Sequence, residues 1–230
     1  MIVVQRKPLQ EIVSAIQGFK KVLTVGCGTC AAVCLAGGAK EVSTLNWELS
    51  AAQSLAGGTL ELGAVTVQRQ CDQEFLAELD AEAEDYEALL SMACGVGIQF
   101  LAERYPDKPV LPAVDTSGMS GNRDVGWYEE RCRGCGRCVL AYTAGICPVT
   151  MCAKGLFNGP CGGTNGQSCE INPDQPCAWY QIYHRLSRQG RLENILKIQP
   201  SQEWYNQIPR KVVQPGYGYG QEMEYAAVNE

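Results

Sequence analysis

Thirteen cysteines are the side chains in this 230-residue chain whose type and spacing could do chemistry. Eight of them, Cys132, Cys135, Cys138, Cys147, Cys152, Cys161, Cys169 and Cys177, fall in RCRGCGRCVLAYTAGICPVTMCAKGLFNGPCGGTNGQSCEINPDQPC. This stretch opens with C-x2-C-x2-C, the spacing of ferredoxin ligands, and Cys147-Pro148 repeats the Cys-Pro ending of such runs. Two-residue gaps let successive thiolates curl around one corner of a cubane. Gly134 and Gly136 carry no Cβ, so backbone amides can come close to sulfur. Arg131, Arg133 and Arg137 are interleaved with the cysteines. A [4Fe-4S] cluster on four thiolates is negative, and nearby cations stabilise it and raise its potential. Zinc is the competing metal, but it favours two C-x2-C pairs, and here there is one triplet. Disulfides are a third reading. The start, MIVVQRKPLQEI, has no apolar signal core, which points to the cytoplasm, where disulfides are uncommon.

A second thiol group, Cys27, Cys30 and Cys34, lies in GCGTCAAVCLAGG directly after the β-branched run KVLTV. This is where a Rossmann-type fold turns from its first strand into its first helix. The segment also fits the dinucleotide pattern G-x-G-x-x-A through Gly26, Gly28 and Ala31, a weak signal when it stands alone. Thiolates at the variable positions would repel a pyrophosphate, whereas the free amides and dipole of a helix start would favour an anionic cluster. C-x2-C-x3-C is therefore read as three cluster ligands. Cys94, in a Cys-Gly-x-Gly turn, is the better candidate for the fourth, and Cys71 is the runner-up. For either one the plain alternative is a free buried cysteine.

The elements that must position these groups follow from periodicity. Helices are expected over 8–18, 39–56, 73–84 and 96–104, and strands over 21–25, 64–69, 88–92 and 109–114. Alternation of this kind implies α/β architecture, a small doubly wound parallel sheet of Rossmann-like form, with its ligand crevice beyond the carboxyl ends of the strands. Cys27, Cys71 and Cys94 each follow a strand. Residues 115–130 are rich in Gly, Ser, Asp and Asn and read as a linker. The segment 131–177 should be loops held by metal, and 178–197 a helix with His184, the one histidine, off its apolar stripe. NGPCGGTNG lacks the Lys-Ser/Thr of a phosphate loop. The expected domains are 1–120, an α/β domain with one cluster site, 121–200, a cysteine-rich domain with its helix, and 201–230, an extended tail. The tail is either unstructured or an arm laid on a partner through Tyr217 and Tyr219.

Composition narrows the function. The net charge of −6 argues against nucleic acid as a partner. No apolar run is long enough to suggest a membrane span. Thirteen cysteines beside a single histidine favour metal over hydrolytic chemistry.

CPVTMCAKGLFNGPCGG, a cysteine pair, and CAWYQIYHRLSRQGRLE resemble the C-terminal domain family of methylenetetrahydrofolate reductases. GCGTCAAVCLAGGAKEV, RQCDQEF and SMACGVG are similar to the N-terminal part of the same proteins, so the resemblance spans about residues 20–197. It implies the small iron–sulfur subunit of MetV type found in bacteria with the acetyl-CoA pathway. That subunit has no active site of its own. It works with a MetF-type subunit, whose FMN reduces 5,10-methylenetetrahydrofolate to 5-methyltetrahydrofolate. The implied role is a relay of two or three [4Fe-4S] clusters that takes electrons from ferredoxin or another redox subunit. Cys27, Cys30, Cys34 and Cys94 would hold one cluster. Cys132, Cys135 and Cys138 would hold another, with a fourth ligand from farther along. Cys147, Cys152, Cys161, Cys169 and Cys177 supply that ligand and sulfur for a third centre, iron–sulfur or zinc, and Cys71 is left over. A structural zinc scaffold without electron transfer is the alternative.

Overall fold

A computed structural model describes residues 1–204, 207–209, 212 and 214 of the chain. It divides after Cys132 into two units, Met1–Cys132 and one that begins at Arg133.

In the first unit β1 (Ile2–Arg6) and α1 (Leu9–Ala15) lead to β2 (Lys21–Cys27). β2 is buried from Val22 to Cys27, as a central strand covered on both faces must be. The one-turn α2 (Cys30–Val33) and the long α3 (Ala39–Leu55) cross to β3 (Glu61–Val67). Then α4 (Gln73–Leu76), a 3-10 turn at Ala77–Leu79 and α5 (Asp80–Ala83) lead to β4 (Ala88–Ser91), and α6 (Gly95–Arg104) leads to β5 (Val110–Pro112). The strand order is β3-β2-β4-β5, and every pairing is parallel. The chain starts in the middle, steps out to β3, then reverses to β4. This is the doubly wound α/β sheet that the alternation implies, and its crevice opens between β2 and β4. One face is covered by Ile12, Val42, Leu45 and Leu49 of α1 and α3. The other is covered by Leu76, Leu79, Ala83 and Leu101.

Three expectations are corrected. The stretch 115–130 is not a linker but a hairpin, β6 (Val114–Asp124) and β7 (Trp127–Cys132), joined by Val125 and Gly126, the latter at φ +76°. β6 also pairs with β1, which makes an antiparallel sheet of order β1-β6-β7. Past Val114 no residue of β6 is fully buried, so the hairpin lacks the apolar alternation by which a half-buried strand is recognised. The acidic helix over 73–84 is three short turns rather than one rod. The second strand starts at Glu61, in register with Lys21, and ends at Val67, so Cys71 lies four residues beyond it.

The second unit has little regular structure, as expected: α7 (Pro148–Met151), α8 (Ala178–Arg188) and a 3-10 turn at Leu192–Leu196. Ile146, Ala178, Trp179, Ile182 and Leu186 form its core. The loops are tied by hydrogen bonds from Trp179 Nε1 to the Leu156 carbonyl (2.7 Å) and from Gln175 Nε2 to that of Met151 (2.8 Å). Tyr217 and Tyr219, the tail contacts expected from sequence, lie outside the described residues. Among the described residues no helix is long and apolar enough to cross a membrane.

Gly37 anchors the turn that follows β2. Its carbonyl accepts from Cys27 N at 2.8 Å, and a Cβ there would stand 2.0 Å from the Met92 carbonyl oxygen. That oxygen is backbone and cannot rotate away. Gly37→Ala should therefore lower the unfolding free energy in urea by about 1–3 kcal/mol. Gly121→Ala, which meets nothing within 4 Å, should leave it within about 0.5 kcal/mol.

Candidate metal centres

The carboxyl ends of three neighbouring strands each deliver a cysteine. Cys27 is the last residue of β2, and Cys30 opens α2 one short turn later. Cys71 follows β3, and Cys94 is the residue that caps the start of α6 after β4. Because β3, β2 and β4 are adjacent in the sheet, these four positions meet at one edge. Cys71 is exposed, yet its thiol is held above the ordinary value, first by partial loss of water and then by the thiols of Cys27, Cys94 and Cys30. Like charges that close disfavour one another's ionisation. A bound cation removes that penalty, since a coordinating thiol is deprotonated outright. The donor set therefore fits a thiophilic metal or cluster. Cys94 stands at the start of the ten-residue α6, whose positive dipole end favours negative charge and whose first amide, Gly95 N, donates to Thr116 Oγ1 at 2.8 Å. α2 is a single turn, so the dipole inferred for it from sequence is small.

Cys34 ends α2, is buried, and its Sγ donates toward the Ile2 carbonyl of β1 at 3.6 Å. Burial raises its pKa most, and Cys30 is the thiol that acts on it.

Sequence reading missed Gln70. Its side chain is fully buried, its Nε2 donates to the carbonyls of Val25 (2.8 Å) and Gly26 (3.1 Å), and its Oε1 accepts from Ser91 Oγ (2.7 Å). No local pattern marks a lone glutamine before a cysteine. The G-x-G pattern has a packing cause here, since a Cβ on Gly26 would lie 2.4 Å from Thr66 Oγ1.

In the second unit Cys152, Cys161, Cys169 and Cys177 line one cavity of about 20 Å³, together with Gly162, Gly163 and Trp179. A short antiparallel bridge between Ser168 and Pro176 joins the two segments that carry Cys169 and Cys177. Cys169 N donates to the Gln175 carbonyl at 2.9 Å, and Cys177 N to that of Gln167 at 2.8 Å. Cys177 also precedes α8. Cys161 Sγ accepts from Gly163 N at 3.4 Å and donates toward Glu170 Oε1 at 3.6 Å, while Glu170 pairs with Lys154. These four are half-buried or exposed, and the loops that carry them meet only a small core. Of the remaining cysteines, Cys147 caps α7 and is half-buried, Cys138 is exposed, and Cys135 Sγ donates toward the Arg137 carbonyl at 3.7 Å. Arg131, one of the interleaved cations, is paired with Glu129.

Cys132 closes β7 in the first unit. There it borders a hollow of about 500 Å³ that Cys30 also lines, with Met1, Ile2, Met119 and Arg131. A hollow of about 520 Å³ at the amino ends of β2 and β3, lined by Lys20, Lys21 and Gln53, contains no thiol, and no site chemistry is assigned to it. His184 is exposed, its ring 4.2 Å from that of Tyr180 and tilted 59° to it, in keeping with a surface position. Among the described residues, no three His, Cys, Asp or Glu side chains converge tightly enough to hold a single ion.

Residues 111–205 match the family described as methylene-tetrahydrofolate reductase C terminal. The match relates that part of the chain, less than half of its length, to methylenetetrahydrofolate reductases. It starts in β5, takes in the β6–β7 hairpin and includes eight of the thirteen cysteines. No curated protein and no solved structure matches the chain.

Loops with so small a core depend on their tie points. Stripping metal from the protein with a strong chelator should open 153–176 to limited proteolysis, while Met1–Ser91 stays resistant, as read by mass spectrometry of the fragments. Equal cleavage of 153–176 before and after chelation would contradict a metal-held loop.

Proposed function

We propose that this chain is the electron-transfer subunit of a methylenetetrahydrofolate reductase, carrying iron–sulfur clusters that feed the FMN of a MetF-type partner. The observation that carries this reading is the placement of Cys30 and Cys132 on one hollow of the first unit. Cys30 belongs to the strand-end thiol group, and Cys132 is the first thiol of the ferredoxin-spaced run. A chain with one cluster at the strand ends and another begun at Cys132 would offer the successive one-electron centres that a relay needs. The run Cys132, Cys135 and Cys138 draws its support from spacing, and Cys147-Pro148 is the natural fourth ligand by the same pattern.

A cubane supplies one-electron transfer. The chain's own part is to hold it, shield it from water and set its potential through hydrogen bonds to sulfur and nearby charge. The flavin supplies the hydride chemistry in the partner. Two successive electrons, with protons from solvent, would reduce it, and ferredoxin or a similar protein would be the donor.

Cys152, Cys161, Cys169 and Cys177, which line one cavity of the second unit, are the donors for a third centre, iron–sulfur or zinc.

The test is direct. The reduced chain, freed of excess dithionite, is mixed anaerobically with its FMN-loaded partner, and flavin absorbance near 450 nm is followed. Bleaching that vanishes when the clusters are first destroyed is the expected result. A flavin that stays oxidised beside reduced chain would overturn the relay and leave the scaffold.

A further inference from the structure

The thiols at the strand ends number one more than a cluster needs, and the fold distinguishes among them. Cys27, Cys71 and Cys94 leave β2, β3 and β4 at the same edge of the sheet, and Cys30 stands one turn from Cys27. Cys71 follows the turn after β3, where Val67 pairs with Cys27 and its carbonyl accepts from Gly28 N at 2.9 Å. Cys34 instead donates toward the Ile2 carbonyl and packs in the core shared with Val3 and Val4 of β1.

One buried side chain ties three of the four together. Gln70 precedes Cys71; its amide donates to the carbonyl of Gly26, which precedes Cys27, and to that of Val25. It accepts from Ser91 Oγ, and the same Oγ accepts from Ala93 N at 3.3 Å, the residue that precedes Cys94. The network thus reaches the residue immediately before each of three cysteines. Gln70 and Ser91 are both fully buried. Burying an amide is costly unless it is satisfied, and a satisfied network in a low dielectric fixes geometry. α6 closes over the network, since a Cβ on its Gly97 would stand 2.9 Å from Gln70 Cβ.

We propose that Cys27, Cys30, Cys71 and Cys94 are the four thiolate ligands of one metal–sulfur centre at the carboxyl ends of β3, β2 and β4, with Gln70 as its positioning residue and Cys34 outside it. The proposal rests on the reading of these thiols as cluster ligands and deepens it. Cys71 contributes the fourth thiolate from an exposed loop, which leaves that side of the centre open to solvent or to a partner. Cys34 serves the packing of α2 on β1.

The experiment uses the full chain purified anaerobically, with iron, sulfide and zinc counted per chain and EPR recorded after reduction. Cys71→Ala should lose one centre, about four irons and four sulfides, and Cys34→Ala should keep it. Because Cys71 is exposed, its replacement does not threaten the fold. Cys71→Asp, which offers oxygen in place of sulfur, should shift the g-values of one EPR signal and spare the other. Gln70→Leu should shift that same signal and lower its iron occupancy several-fold, and Gln70→Glu, which still accepts from Ser91, should fall between. Loss of the centre in Cys34→Ala with retention in Cys71→Ala overturns the ligand set, and so does an EPR spectrum unmoved by Cys71→Asp. Wild-type protein holding zinc and no iron would sink the relay reading. The ligand set would still be read from whether Cys71→Ala or Cys34→Ala loses a zinc.

Discussion

Parallel pairing of β2 with β3 on one side and β4 on the other is the constraint on which the first centre depends. Parallel strands all end at the same edge, so a residue that follows any of them arrives at a common place. Three cysteines separated by 44 and 23 positions in sequence, Cys27, Cys71 and Cys94, become neighbours without a loop having to search for them. Gly37 packs on the Met92 carbonyl at the end of β4, and Gln70 bridges the β2 and β4 ends from beneath. The residues that precede Cys27, Cys71 and Cys94 are thus tied to one another and to the sheet.

The two units meet the same chemical demand by different means. In Met1–Cys132 the sheet has a core on both faces, so the fold has packing of its own to stand on. Among its described residues the second unit has one helix of more than two turns and a small core around Trp179 and Ile182, the situation in which bound metal would add most to a fold. Charge works in the same direction at both. Thiolates brought together repel one another, and a cation is what makes their proximity favourable.

Much of this was legible in sequence, for identifiable reasons. β2 and α3 carry clear periodic signals, and Val42, Leu45 and Leu49 of α3 fall where a helix facing a sheet should put them. The loop-rich second unit and its helix follow from Pro and Gly frequency and from the stripe of Trp179, Ile182 and Leu186. The β6–β7 hairpin was hidden because exposed antiparallel strands need no apolar alternation and take their register from a distant partner, β1. The grouping of Cys152, Cys161, Cys169 and Cys177 depends on the bridge between Ser168 and Pro176, and no spacing rule encodes it. The position of Cys34 beside Ile2 depends on β1 lying against α2, a contact between segments some thirty residues apart. Gln70 was invisible because its role is set by what surrounds it.

The measurement that bears most directly on the central claim is the iron, acid-labile sulfide and zinc content of the anaerobically purified chain. At least eight irons and eight sulfides per chain is the predicted result, two cubanes or more. Zinc with neither iron nor sulfide would contradict it and leave the chain a scaffold.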